Sequence, residues 1–208
     1  LFERARKSMI GGVPMNWMVE WPGPFPIFAK EARGATITDI EGHRYTDFCL
    51  GDTGAMFGHA PPATVAAAAR QMRKGITMML PTEDSIWVGQ ELARRFGVPY
   101  WQVAMTATDA NRFALRMARE ATGRRKILVF NGCYHGTVDE ALVRIVDGKV
   151  VPREGAMPPP VDPDITTRVI EFNDLPMLEA ALAPRDIAAV LMEPALTNCG
   201  IVLPAPGS

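Results

Sequence analysis

Ile127-Leu128-Val129-Phe130 runs straight into Asn131-Gly132-Cys133-Tyr134-His135-Gly136, and the fold class follows from that junction. A short apolar run bounded by a glycine-containing turn predicts a buried strand from Lys126 to Phe130, with a tyrosine and a histidine just beyond its carboxyl end. Upstream, the apolar stretch Tyr100 to Met105 predicts another strand. It is followed by the small-residue turn Thr106-Ala107-Thr108-Asp109-Ala110 and a helix over 108–121, spaced by Phe113, Leu115, Met117 and Ala118. Downstream, after a stretch following Phe130 that is expected to be irregular and contains Pro158-Pro159-Pro160, the alternation resumes, with a strand at 167–172, a helix at 175–182 and a strand at 187–192 that ends on Glu193-Pro194. Strands alternating with helices at this spacing predict an α/β fold, a mainly parallel sheet flanked by helices. The prolines between 158 and 163 mark a loop inside this unit, because the pattern continues beyond them.

The N-terminal third is built differently. Prolines at 14, 22, 24 and 26 prevent a continuous helix, so residues 1–30 are expected to be irregular. Thr36-Ile37-Thr38-Asp39-Ile40 and Arg44-Tyr45-Thr46-Asp47-Phe48 alternate on either side of Glu41-Gly42-His43, which predicts a hairpin. Pro61-Pro62 then opens an alanine-rich helix to about Lys74, closed by Gly75, and a second helix is expected from Asp84 to Phe96 before Gly97. Residues 1–75 form a small α+β segment on this reading, and 76–208 belong to the larger sheet domain.

With 48% hydrophobic and 22% charged residues the composition is that of an ordinary globular protein. Lys and Arg total 22 against 23 Asp and Glu, which leaves no basic field to draw nucleic acid or an anionic membrane. The longest apolar stretch, Ile187 to Met192, is far shorter than the roughly 20 residues that span a bilayer. Cys49, Cys133 and Cys199 are odd in number and scattered, and the first residues lack the pattern of a secretory signal. A cytoplasmic location is expected.

In a parallel sheet, ligands sit at the carboxyl ends of the strands. Thr106, Ala107 and Thr108 lie at such an end, where free helix amides and two hydroxyls suit an anion such as phosphate. Tyr134 follows the next strand and can lay its ring on a flat heteroaromatic group, and Glu193 reaches the same edge from a third. Each also has a bland reading. The threonines can simply cap a helix, Tyr134 can be packing, His135 a structural donor and Glu193 a surface carboxylate. Cys133, His135 and Asp139 lack a second ligand cluster at a recognised spacing, so no metal site is expected.

In order along the chain, these motifs resemble the class III aminotransferases of the fold-type I pyridoxal-phosphate enzymes, a group that includes glutamate-1-semialdehyde aminomutase and transaminases for amines and β-amino acids. The resemblance rests on Gly11-Gly12-Val13, the run from Gly34 to Asp47, Gly58-His59-Ala60-Pro61, Thr122 to Ile127, Met192-Glu193-Pro194 and Asn198-Cys199-Gly200. It implies pyridoxal 5'-phosphate as cofactor, with the family's Ser-Gly-Thr-Glu-Ala phosphate turn standing here as Thr106-Ala107-Thr108-Asp109-Ala110. By the same likeness Tyr134 stacks on the pyridine ring, His135 completes the turn, Glu193 lies beside the ring and Asn198 hydrogen-bonds near its phenolic oxygen. A homodimer is also implied, as are a small-molecule amino donor and a keto or aldehyde acceptor.

Two departures shape the expectation. By the resemblance, the family's lysine, which holds the cofactor covalently, and its pyridine-nitrogen aspartate are expected downstream of residue 208, and lysines 7, 30, 74, 126 and 149 lack the family's glycine-rich setting. No catalytic residue is assigned within this stretch. Relatives acting on glutamate semialdehyde carry an arginine soon after the early Gly-Gly-Val, where this chain has Pro14-Met15-Asn16-Trp17-Met18. An apolar entrance of Met15, Trp17 and Met18, with Met56 and Phe57, predicts a hydrophobic or aromatic amine or amino acid as substrate. An alternative use of these side chains is to pack the N-terminal segment. The rival functions are an aminomutase of the semialdehyde type and a non-catalytic relative of the fold. A nucleotide-binding protein is disfavoured, since no Gly-x-Gly-x-x-Gly or Walker lysine follows a strand.

Overall fold

The structure is a computed structural model describing residues 1–207. Its contacts divide the chain into two units, one ending at Ser85 and the other starting at Ile86, against the 75/76 boundary expected from the pattern.

The first unit opens with a short helix α1 (Phe2–Ala5) and two 3₁₀ turns, then forms a three-stranded antiparallel meander of β1 (Ala29–Arg33), β2 (Thr36–Asp39) and β3 (Arg44–Thr46). The expected hairpin is present, with Ile37 opposite Tyr45. Its turn is organised by the buried Asp39 carboxylate. Oδ1 accepts the Glu41 and His43 amides at 2.9 and 2.8 Å, while Oδ2 accepts the Tyr45 hydroxyl at 2.9 Å and lies 3.0 Å from His43 Nδ1. Burial alone would raise this carboxyl, but the converging donors outweigh it and bring its pKa down to about 2. β1 corrects the sequence expectation, because Ala-Lys-Glu-Ala-Arg has no alternation and becomes a strand only by pairing with β2. The helix after Pro61 is α2 (Pro62–Met72), ending two residues before Lys74.

The second unit contains most of α3 (Glu83–Phe96), then α4 (Ala107–Thr122) and a parallel sheet in the order β7-β4-β8. These strands are β4 (Lys126–Phe130), β7 (Thr167–Ile170) and β8 (Ile187–Val190), and the predicted parallel pairing holds on both sides of β4. Because β4 is central, Ile127, Leu128 and Val129 are fully buried, each contributing about 1.5–3 kcal/mol of transfer free energy. Leu115 of α4 and Ala181 of α6 (Leu175–Leu182) join the same core. The strands at 167 and 187 stop at 170 and 190, two residues earlier than the apolar pattern suggests.

Two further corrections concern strands. Tyr100 to Met105 pairs with nothing among the described residues, and Tyr100, Val103 and Met105 are 88%, 81% and 94% exposed. Conversely, the stretch taken as irregular after Phe130 contains a hairpin, β5 (Val143–Val146) and β6 (Lys149–Pro152). Its turn is Asp147-Gly148, both at positive φ, the backbone that a tight two-residue hairpin demands. Before β7, Pro163 opens a four-residue helix α5 (Pro163–Thr166) capped by Asp162.

Candidate cofactor site

The carboxyl edge of β4 and the start of α4 meet at one contact. Thr106 caps α4, its Oγ1 accepting the Asp109 amide at 3.1 Å while its hydroxyl donates to Asp109 Oδ2 at 2.9 Å. That hydroxyl is therefore spent within the cap. The helix start leaves the amides of Ala107 and Thr108 without intrahelical partners, at the positive end of a sixteen-residue helix. Thr108 Oγ1 accepts the Thr137 amide at 3.0 Å, so its own proton remains available to donate.

Gly136 is the hinge of this junction. Its φ is +83°, and a Cβ there would lie 2.2 Å from Thr108 Oγ1. Only glycine permits both the backbone conformation and the approach. Asn111, one turn into α4, donates from Nδ2 to the His135 carbonyl at 3.0 Å and pins the preceding residue. The turn 134–137 is thus fastened to α4 by two bonds and one close contact.

Tyr134, partly exposed, turns its ring toward Arg153, whose guanidinium carbon lies 5.4 Å from the ring centroid. Arg153 also donates from Nη2 to Asn198 Oδ1 at 2.8 Å and from Nη1 to the Cys133 carbonyl at 3.2 Å. A Cβ on Gly132 would come within 3.1 Å of Cys199 Sγ, so the loop after β8 packs against the turn after β4. Glu193 enters from that loop. Its Oε1 accepts the Thr197 hydroxyl at 2.6 Å, while Oε2 is buried without a partner among the described residues.

His135 is buried and its Nε2 likewise lacks a partner among the described residues. Burial holds the imidazole below its usual 6.5, with the Glu193 carboxylate pulling in the opposite direction, so the ring is neutral at neutral pH. Burial also pushes the Cys133 thiol up to about 11, which keeps it protonated and unreactive.

Thr108, Tyr134, His135, Glu193 and Asn198 are therefore linked by direct contacts, shared partners or electrostatics, and Thr106 and Ala107 stand at the adjoining helix start. Sequence reasoning did not find Asn111, Gly136 as a steric requirement, or Arg153. The five apolar residues proposed as a substrate entrance belong to the first unit. Trp17 and Met18 line a hollow of about 580 Å³ with Met9, Val13, Trp21 and Phe28. Met15, Met56 and Phe57 do not line it, and Phe57 is 96% exposed.

The donor set suits a flat phosphorylated ring. Helix amides and a free hydroxyl proton face an anion, an aromatic ring is partly open to stacking, and two buried polar atoms on His135 and Glu193 await partners. The fold is that of the pyridoxal-phosphate enzymes of fold type I, matching a crystal structure of a glutamate-1-semialdehyde aminomutase from Pseudomonas aeruginosa PAO1. The TM-score is 0.96 and the identity 58%, over 99% of this chain and 46% of that one. A lysine-to-alanine variant of an aminomutase from the same organism was crystallised with PMP.

The profile described as "Aminotransferase class-III" matches residues 18–208, and the chain belongs to this family. A curated glutamate-1-semialdehyde 2,1-aminomutase from Chloroflexus aurantiacus is 40% identical over 99% of this chain and 48% of its own length. An omega-transaminase from Sphaerobacter thermophilus is 32% identical with a TM-score of 0.86, over 99% of this chain and 49% of that one. The chain spans about half the length of the curated relatives it matches. No helix among the described residues is long and apolar enough to cross a membrane.

Proposed function

We propose that these residues form the cofactor-holding half of a pyridoxal-phosphate enzyme that moves an amino group within glutamate-1-semialdehyde or a substrate closely like it. The observation carrying the substrate is the 58% identity to an aminomutase along 99% of the chain, higher than to the omega-transaminase. This reading departs from the apolar-amine expectation, which rested on the missing arginine near Gly11-Gly12-Val13.

In this reading the amides of Ala107 and Thr108 and the Thr108 hydroxyl bind the cofactor phosphate, and Tyr134 stacks on its ring. Asn198 donates to its phenolic oxygen. Glu193 and His135 line the ring's surroundings, where the bound cofactor would supply partners for their two unpaired buried atoms. When bound, the cofactor supplies the electron sink for amino transfer. The covalent lysine is read as lying outside residues 1–208. The enzyme is read as a cytoplasmic homodimer acting on small molecules.

A second reading retains the hydrophobic or aromatic amine or β-amino acid, favoured by the hollow of Trp17, Met18, Trp21 and Phe28. A substrate panel on the polypeptide as the cell makes it separates the two. Turnover of glutamate-1-semialdehyde above aromatic amines and β-amino acids supports the aminomutase, and the reverse order supports the second reading. Borohydride treatment with cofactor, followed by mass analysis, tests catalysis itself. If no lysine gains the cofactor's mass, the protein is a non-catalytic relative.

A further inference from the structure

Arg153 follows β6 and hydrogen-bonds both the turn after β4 and the loop after β8 at the candidate site. Among the described residues it has no salt-bridge partner, whereas Arg144 of the same hairpin pairs with Glu154 at 3.2 Å. Its charge faces a backbone carbonyl, an amide oxygen and the face of Tyr134 instead. The bond to Asn198 has a directional consequence. An asparagine amide can present either its oxygen or its NH₂ by a half-turn of the side chain, and the two ends differ as acceptor and donor. With Oδ1 engaged by Arg153 at 2.8 Å, Nδ2 is the end left to meet a ligand.

Building on the cofactor reading above, we propose that Arg153 is a positioning residue: it fixes the Asn198 amide with its NH₂ toward an acceptor oxygen of the bound cofactor while bracing the Tyr134 ring from behind. Arg153 touches neither cofactor nor substrate in this assignment. It acts through Asn198 and Tyr134. Lysine replaces it poorly, since a single ammonium cannot hold the Cys133 carbonyl and the Asn198 oxygen in one planar fork.

The test uses pyridoxamine phosphate as probe and the polypeptide as the cell makes it, with affinity read from protein fluorescence. R153M is expected to weaken binding on the order of tenfold, the scale of losing a hydrogen bond from a charged donor. N198A is expected to weaken binding as well, and the double variant to be little worse than R153M, because R153M already removes the Asn198 contact. R153K is expected to fall between wild type and R153M. Full additivity in the cycle, or R153M with wild-type affinity, overturns the assignment. If R153M does not fold, R153K decides, and its wild-type affinity overturns the assignment. Wild-type protein that takes up no pyridoxamine phosphate overturns the cofactor reading together with this inference. Wild-type uptake with an indifferent R153M overturns the inference alone.

Discussion

Lys126–Phe130 and Tyr100–Met105 are both short and rich in apolar side chains, yet Ile127, Leu128 and Val129 are sealed while Tyr100, Val103 and Met105 stand almost fully exposed. The difference lies in partners. β4 has a parallel neighbour on each side and helices over it, whereas 100–105 hydrogen-bonds to no strand among the described residues. Apolar patterning supplies the driving force for burial, but a strand exists only where another backbone satisfies its N–H and C=O groups.

The sharpest way to break this contrast is a pair of truncations read by urea unfolding. Leu128→Ala is expected to cost about 2–5 kcal/mol, since it leaves a cavity in a fully buried strand. Val103→Ala is expected to stay within about 0.5 kcal/mol, as for a surface change. Equal costs would mean that 100–105 is packed and the comparison is wrong.

Next in size is a contrast between two glycines, both at positive φ. Gly148, in the β5–β6 turn, has open space where a Cβ would go, and Gly136 has Thr108 Oγ1 at 2.2 Å. Gly148→Ala therefore carries backbone strain alone, about 1 kcal/mol at the lower end of that scale. Gly136→Ala adds overpacking of roughly 1–3 kcal/mol and pushes α4 away from the 134–137 turn. Cofactor affinity is expected to collapse in Gly136→Ala and survive in Gly148→Ala, and titration with pyridoxal phosphate checks both.

The same division between local and distant causes explains what the chain disclosed in advance. β4, α4 and α6 were legible because period, caps and punctuating glycines lie within a few residues of each other, and the turns at 106–110 and 131–136 are defined by small residues at strand ends. Asp147-Gly148 was equally local and marks a hairpin by its composition, but the irregular stretch around it hid β5 and β6. Asn111 with His135 and Arg153 with Asn198 are another matter, since their partners lie 24 and 45 residues away. No spacing rule connects such pairs, because chain folding alone brings them together. β1 is distant in the same sense, being a strand by virtue of β2.

A smaller effect separates the two threonines of the helix start. Thr106→Ala removes an N-cap and is expected to cost about 1 kcal/mol of stability, with Thr106→Ser restoring most of it. Thr108→Ala takes away the acceptor of the Thr137 amide and a free hydroxyl proton, so cofactor affinity is expected to suffer more than stability. Melting curves beside pyridoxal-phosphate titrations reveal the split. If Thr106→Ala weakens the cofactor as much as Thr108→Ala, then the cap hydroxyl exchanges its partner for the phosphate.

Acid distinguishes the two units most gently. His135 is held below its usual 6.5 by burial, so the unfolded chain takes up its proton more readily than the folded one. Its contribution is present above pH 6.5 and is lost as the pH falls through the lower folded value. Asp39, drawn down to about 2 from its ordinary 3.8, contributes above the latter pH and loses that contribution only on approaching the former. Mild acid is therefore expected to loosen the turn at 134–137 while the β2–β3 hairpin stays intact. Amide exchange followed residue by residue from pH 7 to pH 4 measures it. Earlier exchange at Glu41 and His43 than at Thr137 would show that the buried histidine is not the weaker point, and a bound cofactor should protect Thr137 without affecting the hairpin amides.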